Sequence, residues 1–184
     1  LLATWIEGKP GGLQQVRFAR YFVGGWSPPA TVAESATLFA NWADTPGAAA
    51  SRDGSLYAWW LEKTGADPYA YSIALARSVD AGVSWRRIGT VNDDRIAAEH
   101  GFVSMVAEGA GARVFWLDGR EVPDGGSTQL RRARIEGERI EASEIVDDRV
   151  CDCCPTSAVM LGESAQVAFR DRSADEVRDL GLAR

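Results

Sequence analysis

The chain has 184 residues, of which 46% are hydrophobic and 25% are charged, and it includes 7 Trp, 6 Phe and 4 Tyr. This composition supplies enough apolar surface for one folded domain and excludes a disordered chain. The formal net charge of −6 argues against a nucleic-acid partner, because binding a phosphate backbone requires a basic face. No apolar stretch approaches the length of a membrane-spanning helix.

A short pattern recurs along the chain, beginning with the first residues. It consists of an aromatic residue, an acid two positions later and then a base, and it is centred on Trp5, Trp60, Trp116 and Phe169. These aromatic residues follow one another at intervals of 55, 56 and 53 positions. A nearly constant interval of this length is typical of the blades of a β-propeller. We therefore expect the four side chains to fill the core between blades.

Each repeat contains short apolar segments bounded by turn residues, with little helical periodicity. The first repeat opens at the equivalent of its second strand. In the second and third repeats the predicted strands are 48–52, 56–61, 69–77, 85–91, 102–107, 113–117, 129–135 and 141–146. In the fourth repeat they are 156–161, 165–170 and a last segment near 177–183.

These segments predict an all-β fold, a β-propeller of four-stranded antiparallel blades with about three to four blades present. The chain 1–184 is treated as one domain, with blades at about 1–45, 46–97, 98–149 and 150–184. A β-sandwich is the alternative fold, since it also has regularly spaced strands. A long-period repeat of a single motif is not expected in a sandwich, which favours the propeller.

The segment between the third and fourth predicted strands of the second repeat is Ser78-Val79-Asp80-Ala81-Gly82-Val83-Ser84-Trp85. It fits the Asp-box pattern Ser-x-Asp-x-Gly-x-Ser/Thr-Trp at every fixed position. Asp80 can accept hydrogen bonds from backbone N–H groups of the turn, Gly82 permits the tight backbone, and Trp85 can pack the turn onto the blade. The motif, formed by Ser78, Asp80, Gly82, Ser84 and Trp85, is therefore predicted to hold the fold together rather than to catalyse.

With this motif, the blade interval and the Trp-rich strands, the chain resembles the sialidase-like (BNR or Asp-box repeat) six-bladed β-propellers. The segments 150–155, 169–173 and 176–179 look like a bacterial branch of that group. The resemblance implies that the chain carries roughly half of a six-bladed ring, completed by the rest of a longer polypeptide or by a homo-oligomer. It also implies a carbohydrate partner, a sialylated glycan included, and favours a secreted or periplasmic location.

Blade topology places the Asp-box hairpin on one face and the links between blades on the other. His100, the segment 151–155 and the loops that begin at Lys63, Arg120 and Arg172 are predicted to share that other face. We expect a ligand site there, opposite the Asp-box.

The resemblance implies a tyrosine nucleophile paired with a glutamate, an arginine triad that clamps the substrate carboxylate, and an aspartate as general acid or base. The chain has no Arg-Ile-Pro motif for the first arginine, and no tyrosine matches the nucleophile. An inter-blade or solvated network of ion pairs explains the charged residues on the ligand face equally well. The candidate catalytic residues with suitable chemistry and face are Asp152, Arg170, Asp171, Arg172, Glu176 and Arg178.

The three cysteines, Cys151, Cys153 and Cys154, are too close together to form a framework of disulfides between distant loops. His100 lies before the inner strand of its blade at nearly the same position as Cys154 in the next blade. The three cysteines and His100 could therefore bind Zn²⁺ or a copper ion. A local disulfide or free thiols are the alternatives. No other cofactor is required by the sequence.

The function indicated by these features is a sialidase-like glycoside hydrolase or a glycan-binding propeller. The alternatives are a non-catalytic propeller that binds protein or glycan, and a propeller that binds metal through the Cys/His cluster. The sequence alone does not decide whether the protein is an enzyme.

Overall fold

The computed structural model describes residues 1–9 and 12–184, and its regular secondary structure is almost entirely β-strand. Helix in this part of the chain is limited to one 3₁₀ turn, Val122–Asp124, and no helix in it is long and apolar enough to cross a membrane. The strands are β1 (Leu2–Gly8), β2 (Gln14–Phe22), β3 (Gly25–Trp26), β4 (Ala30–Ser35), β5 (Gly47–Ala50), β6 (Leu56–Lys63), β7 (Tyr71–Ser78), β8 (Arg86–Thr90), β9 (His100–Glu108), β10 (Gly111–Asp118), β11 (Gln129–Glu136), β12 (Arg139–Ile140), β13 (Glu144–Asp147), β14 (Ser157–Leu161), β15 (Ser164–Arg170) and β16 (Leu180–Ala183).

The strands form four separate antiparallel sheets in chain order. The second sheet has the order β5-β6-β7-β8, and the third has the order β9-β10-β11-β13 with the short β12 beside β11. The first sheet contains β1 to β4, and the fourth contains β14, β15 and β16. The leading strands β5, β9 and β14 contact one another in succession, so the sheets radiate from a shared inner edge. The predicted all-β propeller of antiparallel blades is confirmed.

Adjacent aromatic residues in the middle of the second and third sheets hold neighbouring sheets together. Successive side chains of a strand point to opposite faces. Trp60 therefore packs towards the first sheet while Trp59 packs towards the third. In the third sheet, Trp116 packs towards the second sheet and Phe115 towards the fourth. Both faces of these two sheets are covered, which explains why their central strands are continuously apolar.

The recurring acid in the repeat pattern binds the indole of its own strand. Because residues two apart on a strand share a face, the Nε1–H of Trp60 reaches Glu62 at 2.9 Å and that of Trp116 reaches Asp118 at 2.7 Å. Trp5 donates to its acid in the same way, at 2.7 Å. Trp5 was expected in the core, but it is only half-buried because β1 is an edge strand of its sheet.

The Asp-box segment forms the tight hairpin between β7 and β8. Asp80 accepts hydrogen bonds from the Ser84 backbone N–H at 2.9 Å and from the Ser84 and Ser78 hydroxyls. Gly82 has a φ of 87°, and a Cβ at this position would lie 2.2 Å from the ring of Phe18. Trp85 meets the same ring edge to face, with centroids 5.0 Å apart. The hairpin thus joins the second sheet to the first.

The fourth sheet exposes an apolar row on the face that has no neighbouring sheet among the described residues. Leu180 is 88% exposed and Leu182 is 79% exposed on β16, and Val159 and Leu161 on β14 are more than half exposed. Completion of the ring by further chain or by a second copy stays a prediction, and this face is where either would pack.

The Asp80 hairpin makes the stability of the fold sensitive to acid. Hydrogen bonds from the Ser84 hydroxyl and backbone N–H, and from Ser78, lower the pKa of Asp80 from 3.8 to about 2. The stabilisation from the ionised form is therefore complete above pH 3.8 and is lost as the pH falls towards 2. We expect Asp80→Asn to be less stable than the wild type at pH 7, with the difference shrinking in acid, as followed by thermal unfolding from pH 7 to 2. A constant difference across this range would contradict the role of the carboxylate.

Candidate functional site

The ends of the strands divide the molecule into two faces. Tyr71 and Ser78 begin and end β7, and the seven residue-to-residue steps of extended strand between them span about 23 Å. The Asp80 hairpin follows Ser78 and defines the hairpin face. The opposite face, which we call the loop face, carries the β6–β7 loop, the link to β9 and the β10–β11 loop. On the loop face, Tyr71 N–H donates to Ala98 C=O at 3.1 Å, and Gly119 N–H donates to Glu99 C=O at 2.8 Å.

A cleft of about 900 Å³ opens on the loop face, and we call it the aromatic cleft. Its lining includes the side chains of Trp42, Tyr69, Glu99, Phe102, Asp152 and Arg172. Trp42 is 95% exposed and Tyr69 is 62% exposed. Tyr69 was predicted to lie in a strand, but a turn in which Ala70 N–H donates to Asp67 C=O leaves it in the loop before β7.

Glu99 lines the aromatic cleft and is hydrogen-bonded to the buried Tyr71. The hydroxyl of Tyr71 donates to Oε1 of Glu99, while the ring of Tyr71 is fully buried and stacked on Phe39. Burial raises the pKa of Glu99, and the negative charge of Asp152 raises it further against the opposing hydrogen bond from Tyr71. Burial also raises the pKa of Tyr71. A buried tyrosine with a raised pKa is not an activated nucleophile, although it forms a Tyr/Glu pair.

The floor of the aromatic cleft contains a strained backbone. Phe102 has a φ of 51°, a left-handed conformation that bulky residues rarely adopt. Its N–H donates to Oδ2 of Asp44 at 2.5 Å, and its C=O accepts from the Thr156 hydroxyl at 2.7 Å. The neighbouring Gly101 has no room for a side chain, because a Cβ would lie 2.0 Å from the same carboxylate oxygen. Asp44 and Thr156 thus hold Phe102 in place from two other loops.

His100 is not a neighbour of the cysteines, contrary to the predicted Cys/His cluster. Its Nδ1 lies 2.9 Å from Tyr71 C=O, and its Nε2 lies 3.1 Å from Asp94. His100 faces the second sheet, whereas the cysteines face the end of the fourth, so the third sheet lies between them.

The carboxylates of Asp94 and Asp118 approach His100 closely enough to suggest a metal site. A guanidinium already supplies the positive charge there, because Nη2 of Arg120 lies 3.0 Å from Asp94 and 2.8 Å from Asp118. Burial opposes ionisation of Asp118, but Arg120, His100 and Trp116 hold its pKa below the usual range. This group is a buried ion-pair network between the second and third sheets.

The three cysteines form a compact group of free thiols. Their Sγ atoms are separated by 3.5 Å (Cys151 to Cys153), 3.7 Å (Cys151 to Cys154) and 3.9 Å (Cys153 to Cys154). Cys151 is buried, and Cys153 is exposed in the lining of the aromatic cleft.

The predicted catalytic residues are divided between the cleft and an ion-pair cluster. Only Asp152 and Arg172 line the aromatic cleft. The carboxylate of Glu176 is shared by Arg172 at 3.0 Å, Arg149 at 2.9 Å and Arg178 at 3.6 Å. Glu176 thus engages all three guanidiniums, and a substrate carboxylate would have to compete with it for them.

The remaining two predicted catalytic residues have local partners. Nη1 of Arg170 lies 3.5 Å from Sγ of Cys154. Asp171 accepts the backbone N–H of Arg172 at 2.7 Å, and its own backbone pairs with Val150. Asp171 therefore ties the loop before β14 to the end of β15.

Sequence reasoning missed Trp42, Tyr69 and Glu99. Trp42 lies between Asn41 and Ala43 in a segment without strand periodicity, which was a signal that its side chain does not pack in a sheet. Glu99 directly precedes His100, which had been assigned to the loop face. The pairing of Glu99 with Tyr71 spans 28 residues, and no local pattern indicates it.

Comparison with known proteins supports the fold. No family model matches the sequence, and no curated protein matches it. Among solved structures, the chain is similar to an α-L-arabinofuranosidase from Fusarium graminearum, with 12% identity, a TM-score of 0.56 and coverage of 98% of this chain and 57% of that one. It is similar to the NanB sialidase from Streptococcus pneumoniae, with 14% identity, a TM-score of 0.51 and coverage of 100% and 28%.

A third similar structure is the intramolecular trans-sialidase from Ruminococcus gnavus, with 9% identity, a TM-score of 0.55 and coverage of 93% of this chain and 38% of that one. The chain therefore spans between 28% and 57% of the length of these three structures. At such low identity, the similarity shows a sialidase-like propeller fold and no particular activity.

Asp44 should make stability fall as the pH rises. Burial raises its pKa from 3.8 to about 6, so between these values the folded state binds more protons than the unfolded state. Asp44→Asn keeps an acceptor for Phe102 N–H and has no charge to bury. We expect it to be more stable than the wild type above pH 6 by about 1 to 3 kcal/mol, with little difference near pH 4, as measured by urea unfolding.

The matched control for this experiment is Asp175→Asn, which removes an exposed carboxylate. It should leave the pH dependence unchanged. A wild-type slope between pH 4 and 6 that persists in Asp44→Asn would show that another group produces it.

Proposed function

We propose that this chain binds a carbohydrate in the aromatic cleft of a sialidase-like propeller. The observation that carries the proposal is that the 95% exposed Trp42 and the 62% exposed Tyr69 both line a cleft with acidic walls. Flat aromatic rings stack on the apolar C–H faces of sugars, and carboxylates accept hydrogen bonds from sugar hydroxyls. The volume of the aromatic cleft lies within the range of ligand sites.

The charges around the aromatic cleft favour a neutral sugar over a sialylated one. Its described lining contains the carboxylates of Asp67, Glu99 and Asp152 but the guanidinium of Arg172 alone. Arg172 is itself paired with Glu176 at 3.0 Å. A sugar carboxylate would therefore meet net negative charge, which disfavours binding. The sialylated ligand implied by the sequence resemblance is thus the less favoured alternative.

Replacement of Trp42 tests this site directly. We expect Trp42→Ala to lower the affinity for a neutral oligosaccharide, such as an arabino-oligosaccharide, at least about tenfold, because the stacking surface is lost. Isothermal titration calorimetry with a panel of neutral oligosaccharides and sialyllactose measures the effect.

The matched control is Trp26→Ala. Trp26 is also solvent-exposed, at 52%, but it lies on strand β3, which pairs with β2. This variant should bind as the wild type does. Equal losses in both variants, or no saturable binding to any oligosaccharide in the panel, would contradict a carbohydrate site at the cleft and favour a protein-binding propeller.

A second candidate function, glycoside hydrolysis, is favoured by the environment of Glu99. An acid whose pKa is raised by burial can stay protonated and donate to a leaving group, while a nearby exposed carboxylate such as Asp152 stays available as its partner. Tyr71 occupies one oxygen of Glu99 and leaves the second available to the aromatic cleft.

If the protein hydrolyses glycosides, Glu99→Gln should reduce kcat by about 100-fold or more with little change in KM, because the amide cannot donate a proton in the same way. Assays with aryl glycosides over a range of pH measure this. Wild-type activity should fall as the pH rises above the pKa of Glu99. Asp67→Asn, at an exposed carboxylate of the same cleft, is the control. Full activity in Glu99→Gln would exclude Glu99 as the proton donor.

A further inference from the structure

The spacing of the three thiols differs from that of a disulfide and fits the ligands of one metal ion. A disulfide requires two sulfurs about 2.05 Å apart. A metal ion about 2.3 Å from each of its tetrahedral sulfur ligands separates those sulfurs by about 3.8 Å. The Sγ atoms of Cys151, Cys153 and Cys154 lie 3.5, 3.7 and 3.9 Å apart, so all three separations match ligands of one metal.

We propose that Cys151, Cys153 and Cys154 together bind one thiophilic metal ion, Zn²⁺ or Cu⁺. Three sulfur donors select such soft ions over Mg²⁺ or Ca²⁺, which prefer oxygen. The set differs from the cluster predicted by sequence, because His100 belongs to the Asp94/Asp118 network. Zn²⁺ would complete its coordination with a water or an added ligand, whereas Cu⁺ is satisfied by three thiolates.

The segment that carries the thiols is held at both ends before any metal binds. Cys151 N–H donates to Arg170 C=O at 2.9 Å, next to the backbone pairing of Val150 with Asp171. At the other end, the hydroxyl of Thr156 bonds Phe102 C=O and lies 2.8 Å from the Ser104 hydroxyl. This preorganisation reduces the entropy lost when three ligands are brought to one ion.

Two arginines supply the charge that a metal–thiolate complex requires. Nη1 of Arg178 lies 3.8 Å from Sγ of Cys151, and Nη1 of Arg170 lies 3.5 Å from Sγ of Cys154. When three neutral thiols bind one Zn²⁺, three protons are released and the complex carries a net charge of −1. With Cu⁺ the same reaction leaves a net charge of −2. The adjacent guanidiniums stabilise either complex by N–H···S hydrogen bonds.

The metal would fix one wall of the aromatic cleft. Cys153 and Asp152 both line the cleft, so an ion bound to the cysteines would hold the segment that presents Asp152. The proposal does not depend on carbohydrate binding, and the experiment that tests it measures metal alone.

The test uses the full chain, purified under reducing conditions without chelator and analysed by inductively coupled plasma mass spectrometry. The metal-free protein is then titrated with Zn²⁺, and separately with Cu⁺ in the absence of oxygen. We expect one equivalent of metal per chain, release of three protons on Zn²⁺ loading, and protection of all three thiols from Ellman's reagent. The ion that survives competition with a chelator of known affinity identifies the preferred metal.

Cys153→Ser removes an exposed ligand, so it is the variant with the least risk to folding, and it should abolish stoichiometric binding. Arg178→Gln should keep the stoichiometry and lower the affinity about tenfold, because it removes the hydrogen bond to a ligating sulfur. The matched control is Asp152→Asn, which leaves all three thiols in place and should bind one equivalent. Circular dichroism verifies that each variant is folded.

Three results would overturn the proposal. One is a protein that binds no metal with its thiols reduced. Another is a Cys153→Ser variant that binds as the wild type does. The third is a loss of metal in Asp152→Asn as complete as in Cys153→Ser, because the carboxylate would then be an essential ligand.

Discussion

The packing of one sheet against the next through side chains on both of its faces is the constraint on which the rest of this structure depends. Trp59 and Trp60 leave β6 in opposite directions, and Phe115 and Trp116 do the same on β10. Each pair buries large apolar area against two neighbours, and each buried indole needs a partner for its N–H. For Trp60 and Trp116 the acid two positions later accepts that N–H. The repeated pattern therefore combines the aromatic residue that packs between sheets with the acid that satisfies its polar group.

The same arrangement separates the part of the molecule that stabilises the fold from the part that we propose to bind ligands. The hairpin held by Asp80 closes the second sheet on the hairpin face and packs on the first sheet. The loop face receives the links between sheets, which are long enough to carry exposed and charged side chains. Strain at Phe102, unusual burial at Asp44 and Glu99, and the group of three thiols are all found there. Such features cluster at functional sites more often than elsewhere.

The sequence predicts the features that are local or periodic. The interval between the aromatic residues and the Asp-box spacing indicated the sheets, and the order of strands and turns within a blade indicated which face the loops share. The site was predicted only in part. Asp152 and Arg172 do line the aromatic cleft, but His100 packs towards the second sheet and away from the cysteines. The prediction for His100 failed because its side chain, at the start of β9, points towards Tyr71. Trp42 and Glu99 line the same cleft although 57 positions separate them, and no short sequence pattern indicates such a pairing.

We propose that ligands bind on the loop face and not on the hairpin face. Each face carries a tryptophan whose indole N–H signal can report ligand binding there. Trp42 lines the aromatic cleft, Trp85 packs the Asp80 hairpin, and the buried Trp60 and Trp116 serve as internal references. The most direct measurement is a ¹H–¹⁵N correlation spectrum of the indole N–H signals during titration with a neutral oligosaccharide. We expect a saturable shift of the Trp42 signal, with the Trp85 signal unchanged. A shift of Trp85 with Trp42 unmoved would contradict this proposal.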